Sequence, residues 1–285
     1  MAKYIGTYAT SGDVETALNN KELSRPFIAY TTDDDKVYYG VKADKAEVGD
    51  IVVYSVADGR LHFIKLADYS ASTYPVAEYV PVGVVAYPQF DDPIQGPTGE
   101  ITFMGLNWLD KNNPDTGNTR AQKLEWGYNN FDVPEMQDYT ASSAHNDMNG
   151  KANTAAVLQY ATAQDDWRTA SAITFTNAAG YYPVFECAWR YRTSGTAQGD
   201  WFVPSVGQLF IFTDNSNEFQ ALNQGLSAIS QPAFSLTRTY GSTEVSARNS
   251  LFFYDNSTRL DNMEKNNTAF INGVRPYCSK LMTRI

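Results

Sequence analysis

Cysteine and histidine are nearly absent: the 285 residues hold two of each, Cys187 and Cys278, His62 and His145. Two thiols are too few for a disulfide framework or a cysteine-bound zinc. A bridge between them would close a 91-residue loop, worth about 4–5 kcal/mol in the chain-entropy picture. In a reducing compartment two buried thiols are the expectation. Basic charge is scarce as well, with 22 Lys and Arg against 32 Asp and Glu and a net charge of −10. Nucleic-acid binding needs clustered cations to neutralise phosphates, and no such cluster occurs. The same shortage argues against docking on anionic lipid. No stretch approaches the roughly 18 consecutive apolar residues of a spanning helix, so no membrane insertion is expected. The opening segment, MAKYIGTYATSGDVETALNN, lacks the apolar core of a secretory signal, and the expectation is a chain folded in a cytoplasm.

Catalytic signatures are missing too. No GxSxG, HExxH, GxxxxGK(S/T) or CxxC occurs, which leaves serine-hydrolase, zinc-protease, phosphate-loop and dithiol chemistry without support. His145 stands in SSAHND beside Ser142, Ser143 and Asp147, too close along the chain to make a Ser-His-Asp relay unaided. His62, in LHFIK, is expected to face solvent. Asp165 and Asp166 are neighbours and cannot flank a sugar as glycosidase carboxylates do. Asp33, Asp34 and Asp35 point in different directions and read as a solvated hairpin tip. The chain therefore reads as non-enzymatic, with no cofactor and no metal.

What is abundant is aromatic: Tyr 19, Phe 15 and Trp 5 make up 14% of the chain. Rigid aromatics bury much area at low entropy cost, which suits β-structure and contact surfaces. With 43% hydrophobic and 19% charged residues the chain can bury a core, and its length corresponds to about two domains.

Along the chain, a short helix is expected over Asp13–Leu23, with Ser11 or Asp13 as N-cap. Strands are expected over Phe27–Thr31 and Lys36–Val41 around a turn at Thr32–Asp35. A second pair, Asp50–Ser55 and Leu61–Lys65, flanks the turn Ala57-Asp58-Gly59. Tyr69–Tyr79 is a connector. Pro81 suits the first position of a strand over Val82–Tyr87, and Ile101–Gly105 follows. Asp110–Gly150 is a long irregular stretch that Trp108, Trp126, Tyr128 and Phe131 could pack. Helices are expected at Asn153–Thr162 and after Pro204-Ser205, where Val206, Leu209, Phe210 and Phe212 are apolar. The last 50 residues read as short strands with polar turns.

Four segments near the end stand in order: CAWRYRTSGTAQGDWFVPSVGQL (187–209), SLTRTYGSTE (235–244), NSLFFYDNSTRLDNMEKNN (249–267) and GVRPYCSK (273–280). Residues 199–204 read as a strand entering a helix, Ser242-Thr243-Glu244 as a buried polar knot, and Val274-Arg275-Pro276 as a closing strand. The ordered set W-(F/Y/R)-(L/V)-P-S-x-x-(E/Q)-L, S-T-E and V-R-P resembles the C-type-lectin fold in its formylglycine-generating-enzyme-like branch, found in bacterial surface and phage proteins. Upstream, RPFIAYTTDDDKVYY, VGDIVVYSVADGRLHFIK and YVPVGVVAYP are similar to N-terminal β modules that precede such domains in Bacteroides-type phages and their hosts. The implied architecture is α+β: a small β-rich attachment or oligomerisation region over residues 1–80, then a C-type-lectin-like domain over 81–285.

The resemblance implies that the stretch between S-T-E and V-R-P faces a ligand, like the variable region of retroelement-diversified proteins. The implied contact residues are Tyr240, Arg248, Asn249, Phe252, Tyr254, Asn256, Arg259, Asn262, Asn266, Asn267, Phe270 and Asn272. Aromatics would supply area and asparagines adaptable hydrogen bonds. The same pattern also suits a polar hairpin with core aromatics, because Phe253 alternates with Phe252 and Tyr254. Two departures limit the chemistry. Gln231-Pro232-Ala233 lacks the acid of a calcium-dependent sugar site and no WND occurs, so calcium is not expected there. Cys187 and Cys278 are too far apart in sequence to match the copper-oxidase pair.

The implied role is a non-enzymatic phage virion protein, a head fibre, capsid decoration or tail adhesin assembled in the host cytoplasm. It would bind capsid or other virion proteins through its N-terminal region and a bacterial surface glycan or protein through its C-terminal face. A homotrimer is expected from the family's habits, since linked copies raise the avidity of weak glycan contacts by ~10²–10⁴. The alternative is a structural protein that cements capsid or fibre subunits without host contact. An enzyme acting on surface polysaccharide comes third.

Overall fold

The computed structural model describes residues 4–8, 27–31, 37–40, 45–88, 91–92, 96–97, 100–164, 172–173, 179–213, 216–267 and 273–285. The chain is mixed α+β and divides into two compact units that part at Lys45. The small unit holds β1 (Tyr4–Tyr8), β2 (Phe27–Thr31) and β3 (Val37–Gly40). β1 runs parallel to β2, and β3 pairs antiparallel with β2. The strands expected at 27–31 and 36–41 are present, and β1 adds a third that no alternation announced. The expected helix at 13–23 and turn at 32–35 lie outside the described residues.

The large unit is built on β4 (Ile51–Ser55), β5 (Arg60–Ile64), β6 (Tyr79–Tyr87), β9 (Ile101–Gly105), β10 (Trp201–Phe202), β14 (Tyr277–Lys280) and β15 (Thr283–Arg284). They form one sheet in the order β10-β14-β9-β6-β4-β5-β15, while the two-residue strands β7 (Asp91–Asp92) and β8 (Gly96–Pro97) pair with each other. Both faces of the sheet are buried, which is why these strands read as apolar runs rather than as clean alternation. Val52, Val85 and Phe103 face one core, where α1 (Gly150–Gln164) and α2 (Pro183–Arg190) add Val157, Ala161, Phe185 and Ala188. Ile51, Val53, Val84 and Met104 face the other core. There α3 (Val206–Phe210) and α4 (Asn217–Ala228) add Leu209, Leu222 and Leu226. A second sheet, β11 (Thr239–Glu244), β12 (Asn249–Phe253) and β13 (Leu260–Glu264), is an antiparallel meander.

Local chemistry explains the helix starts. At α3 the Ser205 hydroxyl accepts from Gln208 N (3.4 Å) while Gln208 Oε1 accepts from Ser205 N (3.0 Å), a capping box. Ser216 caps α4 by accepting from Phe219 N (3.1 Å), and Pro183 opens α2 where no amide hydrogen is needed.

Three sequence expectations shift. Residues 46–80, grouped by sequence with the N-terminal region, pair with β6 in the main sheet of the large unit. Hairpin patterning says which strands are neighbours but not which further strand they meet. Pro81 lies inside β6 rather than at its start, at a register shift opposite Val52 and Val53, where a missing donor is tolerated. The closing strand begins at Tyr277, just after Val274-Arg275-Pro276, whose carbonyls at Val274 and Pro276 still accept from Leu109 N and Gly105 N.

Candidate functional site

The β11–β13 meander is anchored by the polar segment Ser242-Thr243-Glu244, wholly buried as expected. Thr243 Oγ1 donates to Asp147 Oδ2 (2.6 Å) and accepts from Val206 N (2.9 Å), so it joins the start of α3 to the loop before α1. Asn153 donates to the same Asp147 oxygen (2.9 Å), and Asn149 N donates to its other one (3.0 Å). Asp147 is thereby committed to structure. His145 is exposed with its ring centre 6.0 Å from that of Phe210. His62 is half-buried rather than free in solvent, its ring nitrogens bonded to Asp58 (2.8 Å) and Thr283 (3.2 Å). Cys187 and Cys278 are buried free thiols.

The long irregular stretch is held down by aromatics. Trp126 is buried edge-on against Phe185 (4.8 Å between ring centres) and Tyr182 (5.8 Å), and its Nε1 donates to the Gly241 carbonyl (3.0 Å). Tyr128 and Phe131 pack together at 5.4 Å. These contacts press residues 124–139 against one end of the meander.

The residues implied as ligand contacts fall into four groups. Tyr240 and Phe252 are buried, which corrects their assignment to the surface. Both faces of β12 are buried, with Phe252 in one core and Leu251 and Phe253 in the other, and the Tyr240 hydroxyl is spent on the Leu124 carbonyl (2.7 Å). Tyr254, Asn256 and Arg259 lie on the connection between β12 and β13. Tyr254 is 42% exposed, with the Arg259 guanidinium stacked 4.1 Å from its ring centre. Asn256 is instead a clamp: its Oδ1 accepts from Leu236 N (2.8 Å) and Ser235 Oγ (3.0 Å), fixing the tip to the preceding loop. Arg248, Asn249, Asn266 and Asn267 gather at the opposite end, with Asn262 exposed between the two ends. Five-residue strands separate the ends by about 17 Å. Phe270 and Asn272 lie outside the described residues.

The second end holds groups the linear pattern did not mark. Arg248 Nε donates to Glu264 Oε1 (3.1 Å), and this contact holds the Glu264 carboxyl below its usual range. Asn129, from the loop, donates to Glu264 (3.2 Å) and to Asn266 (2.9 Å). Beneath them Lys265 and Glu244 form a wholly buried ion pair. The Lys265 ammonium donates to Glu244 Oε1 and to the Phe131 carbonyl (2.9 Å), and lies 4.7 Å from the Trp126 ring centre. Burial pushes the Glu244 carboxyl up to about 7 against the pull of Lys265, and burial lowers the Lys265 ammonium. Asp132 and Asp138 each bring a carboxylate oxygen within 4.8 Å of Glu244 and of one another. Desolvation and the neighbouring Asp132 raise the Asp138 carboxyl.

No family model matches the chain, and no curated protein or solved structure matches it. The reading of the two ends therefore rests on their chemistry. The tip offers an exposed aromatic face and a cation on a pinned turn. The other end offers acid and amide groups over a buried charge pair.

Proposed function

We propose that the chain is a non-enzymatic phage virion protein, a head fibre, capsid decoration or tail adhesin, whose C-type-lectin-like region binds a glycan or protein of a host bacterial surface. Its attachment and homotrimerisation are assigned to the N-terminal region, with capsid or other virion proteins as partners. The observation that carries the binding role is the Tyr254–Arg259 pair, exposed and stacked at 4.1 Å on a tip held by Asn256. A rigid aromatic and a planar guanidinium, already positioned, lose little entropy when a ligand arrives. The lectin-like reading is further supported by the buried Ser242-Thr243-Glu244 segment. It is also supported by the return of β14 to lie between β10 and β9, so that both ends of the 81–285 region meet in one sheet.

The test is binding of the labelled full chain to a panel of gut bacterial cells, with the Tyr254→Ala/Arg259→Ala double variant alongside. Exposed cation–π pairs contribute about 0.5–1 kcal/mol to stability, so the variant should melt within a few degrees of the parent. If these side chains are central contacts, binding should fall by 10-fold or more. Equal strain-selective binding by both proteins would remove the tip from the site. No binding to any strain, with retention on virions, would favour the capsid-cementing role.

A further inference from the structure

The carboxylates of Asp132, Asp138 and Glu244 come from three places in the chain: either side of the 133–137 loop and the last residue of β11. Their nearest oxygens lie within 4.8 Å of one another. Calcium binds oxygens at about 2.3–2.6 Å, so two ligands of one ion can stand about 5 Å apart. The three oxygens thus have the spread of a set sharing a single calcium-sized ion. A second observation is independent of the clustering. Glu244 is wholly buried, yet among the described residues its Oε2 accepts no hydrogen bond, because Lys265 donates only to Oε1. An orphan buried carboxylate oxygen is costly, and a cation is the partner that serves it when no donor is near.

The backbone keeps these groups in place. Tyr139 N donates to the Glu244 carbonyl (2.9 Å), and Asp138 and Glu244 sit side by side in a β-bridge. Asp132 and Asp138 are exposed, which leaves the outer side of an ion open to the waters that hard cations retain. With all three carboxylates ionised, Lys265 balances one charge and a divalent ion balances the other two. An all-oxygen, acid-rich set selects calcium over zinc or copper. We propose that Asp132, Asp138 and Glu244 form a calcium site that ties the aromatic-packed loop to the end of the β11–β13 meander. This inference is independent of the adhesin reading, since it lies at the end of the meander away from Tyr254 and Arg259.

The experiment compares the full chain with an Asp132→Asn/Asp138→Asn double variant, both changes being at exposed positions that leave the Glu244–Lys265 pair intact. Terbium(III), a luminescent calcium substitute, should emit strongly under tryptophan excitation because Trp126 lies close to the site. Calcium should quench that emission competitively and raise the melting temperature of the parent by several degrees relative to chelator. The double variant should bind terbium at least 10-fold more weakly and show no calcium-dependent shift, while melting in chelator close to the parent. Absence of both terbium emission and a calcium shift in the parent up to ~10 mM, beyond the affinity range of extracellular calcium modules, would overturn the proposal. So would an undiminished response in the double variant, or an equal shift with magnesium.

Discussion

Glu186 is a carboxylate buried to 1% exposure on α2, in the layer of helix and aromatics that supports Trp126. Its charge partner one turn on, Arg190, approaches only to 3.6 Å (Nη1 to Glu186 Oε1), while Arg190 Nε donates to Asp115 at 3.1 Å. Burial dominates, and the carboxyl is pushed up from 4.5 to about 8. Below about pH 4.5 it is protonated in folded and unfolded chains alike and contributes no pH dependence. Between 4.5 and about 8 the unfolded chain ionises while the folded one keeps its proton. The folded state then binds more protons, so stability falls as pH rises, by about 1.4 kcal/mol per pH unit. Above 8 both states are ionised and the loss levels off. The full interval corresponds to about 5 kcal/mol as a ceiling, which relaxation of the site and entry of water lower. Glu186→Gln keeps the shape and removes the titration. Urea unfolding of parent and variant, followed by tryptophan fluorescence, reads the large unit because all five tryptophans lie beyond residue 45. The variant should gain on the parent steadily from about pH 5 to about pH 8 and hold its lead above that. A difference that stays flat, or a parent that gains on the variant as pH rises, would show Glu186 ionised and paired with Arg190, and the reasoning would fail.

Two further outcomes separate structural from contact roles. Asn256→Ala strips the acceptor from Leu236 N and Ser235 Oγ and should cost about 1–3 kcal/mol. That is more than Tyr254→Ala costs, although Tyr254 is the larger side chain; the reverse order in thermal melts would place Asn256 among the contacts and Tyr254 in the core. Gly225→Ala should lower the melting temperature even though alanine favours a helix by about 1 kcal/mol. A Cβ there meets the Gly49 carbonyl oxygen at 2.3 Å and Val84 Cγ1 at 2.7 Å; an unchanged or raised melting temperature would mean that α4 can move off the 48–50 turn at no cost.

Much of the scaffold can be read locally. IVVYS and RLHFI around Ala57-Asp58-Gly59 announce a hairpin, and Pro204-Ser205 with Gln208 announces α3, because turn and cap chemistry involves only residues a few positions apart. The helices α2 and α4 escaped the same reading. Pro183 at the head of an eight-residue helix is easily taken for loop punctuation among aromatics. The Ser216 cap followed by Phe219, Leu222 and Leu226 was the usable signal for α4, at helical spacing but with little apolar content between.

Pattern by itself announced short strands and a few helices, with a buried Ser-Thr-Glu knot and a polar, aromatic hairpin after it, while the α+β architecture was what the family resemblance implied. Alternation could not decide which aromatics of that hairpin face outward. It encodes a face only when one side meets water, and β12 lies between two cores, so Phe252 and Phe253 are both buried, while Tyr254, just past the end of the strand, is exposed. Only the tertiary structure made Asn256 a clamp, because its partners lie about twenty residues earlier. Only there do Asp132 and Asp138 meet Glu244, across more than a hundred residues of chain, and Lys265 meets it across 21. Carboxylates distributed over three segments have no spacing to read. Their proximity arises from a loop pressed into place by Trp126 and Tyr240.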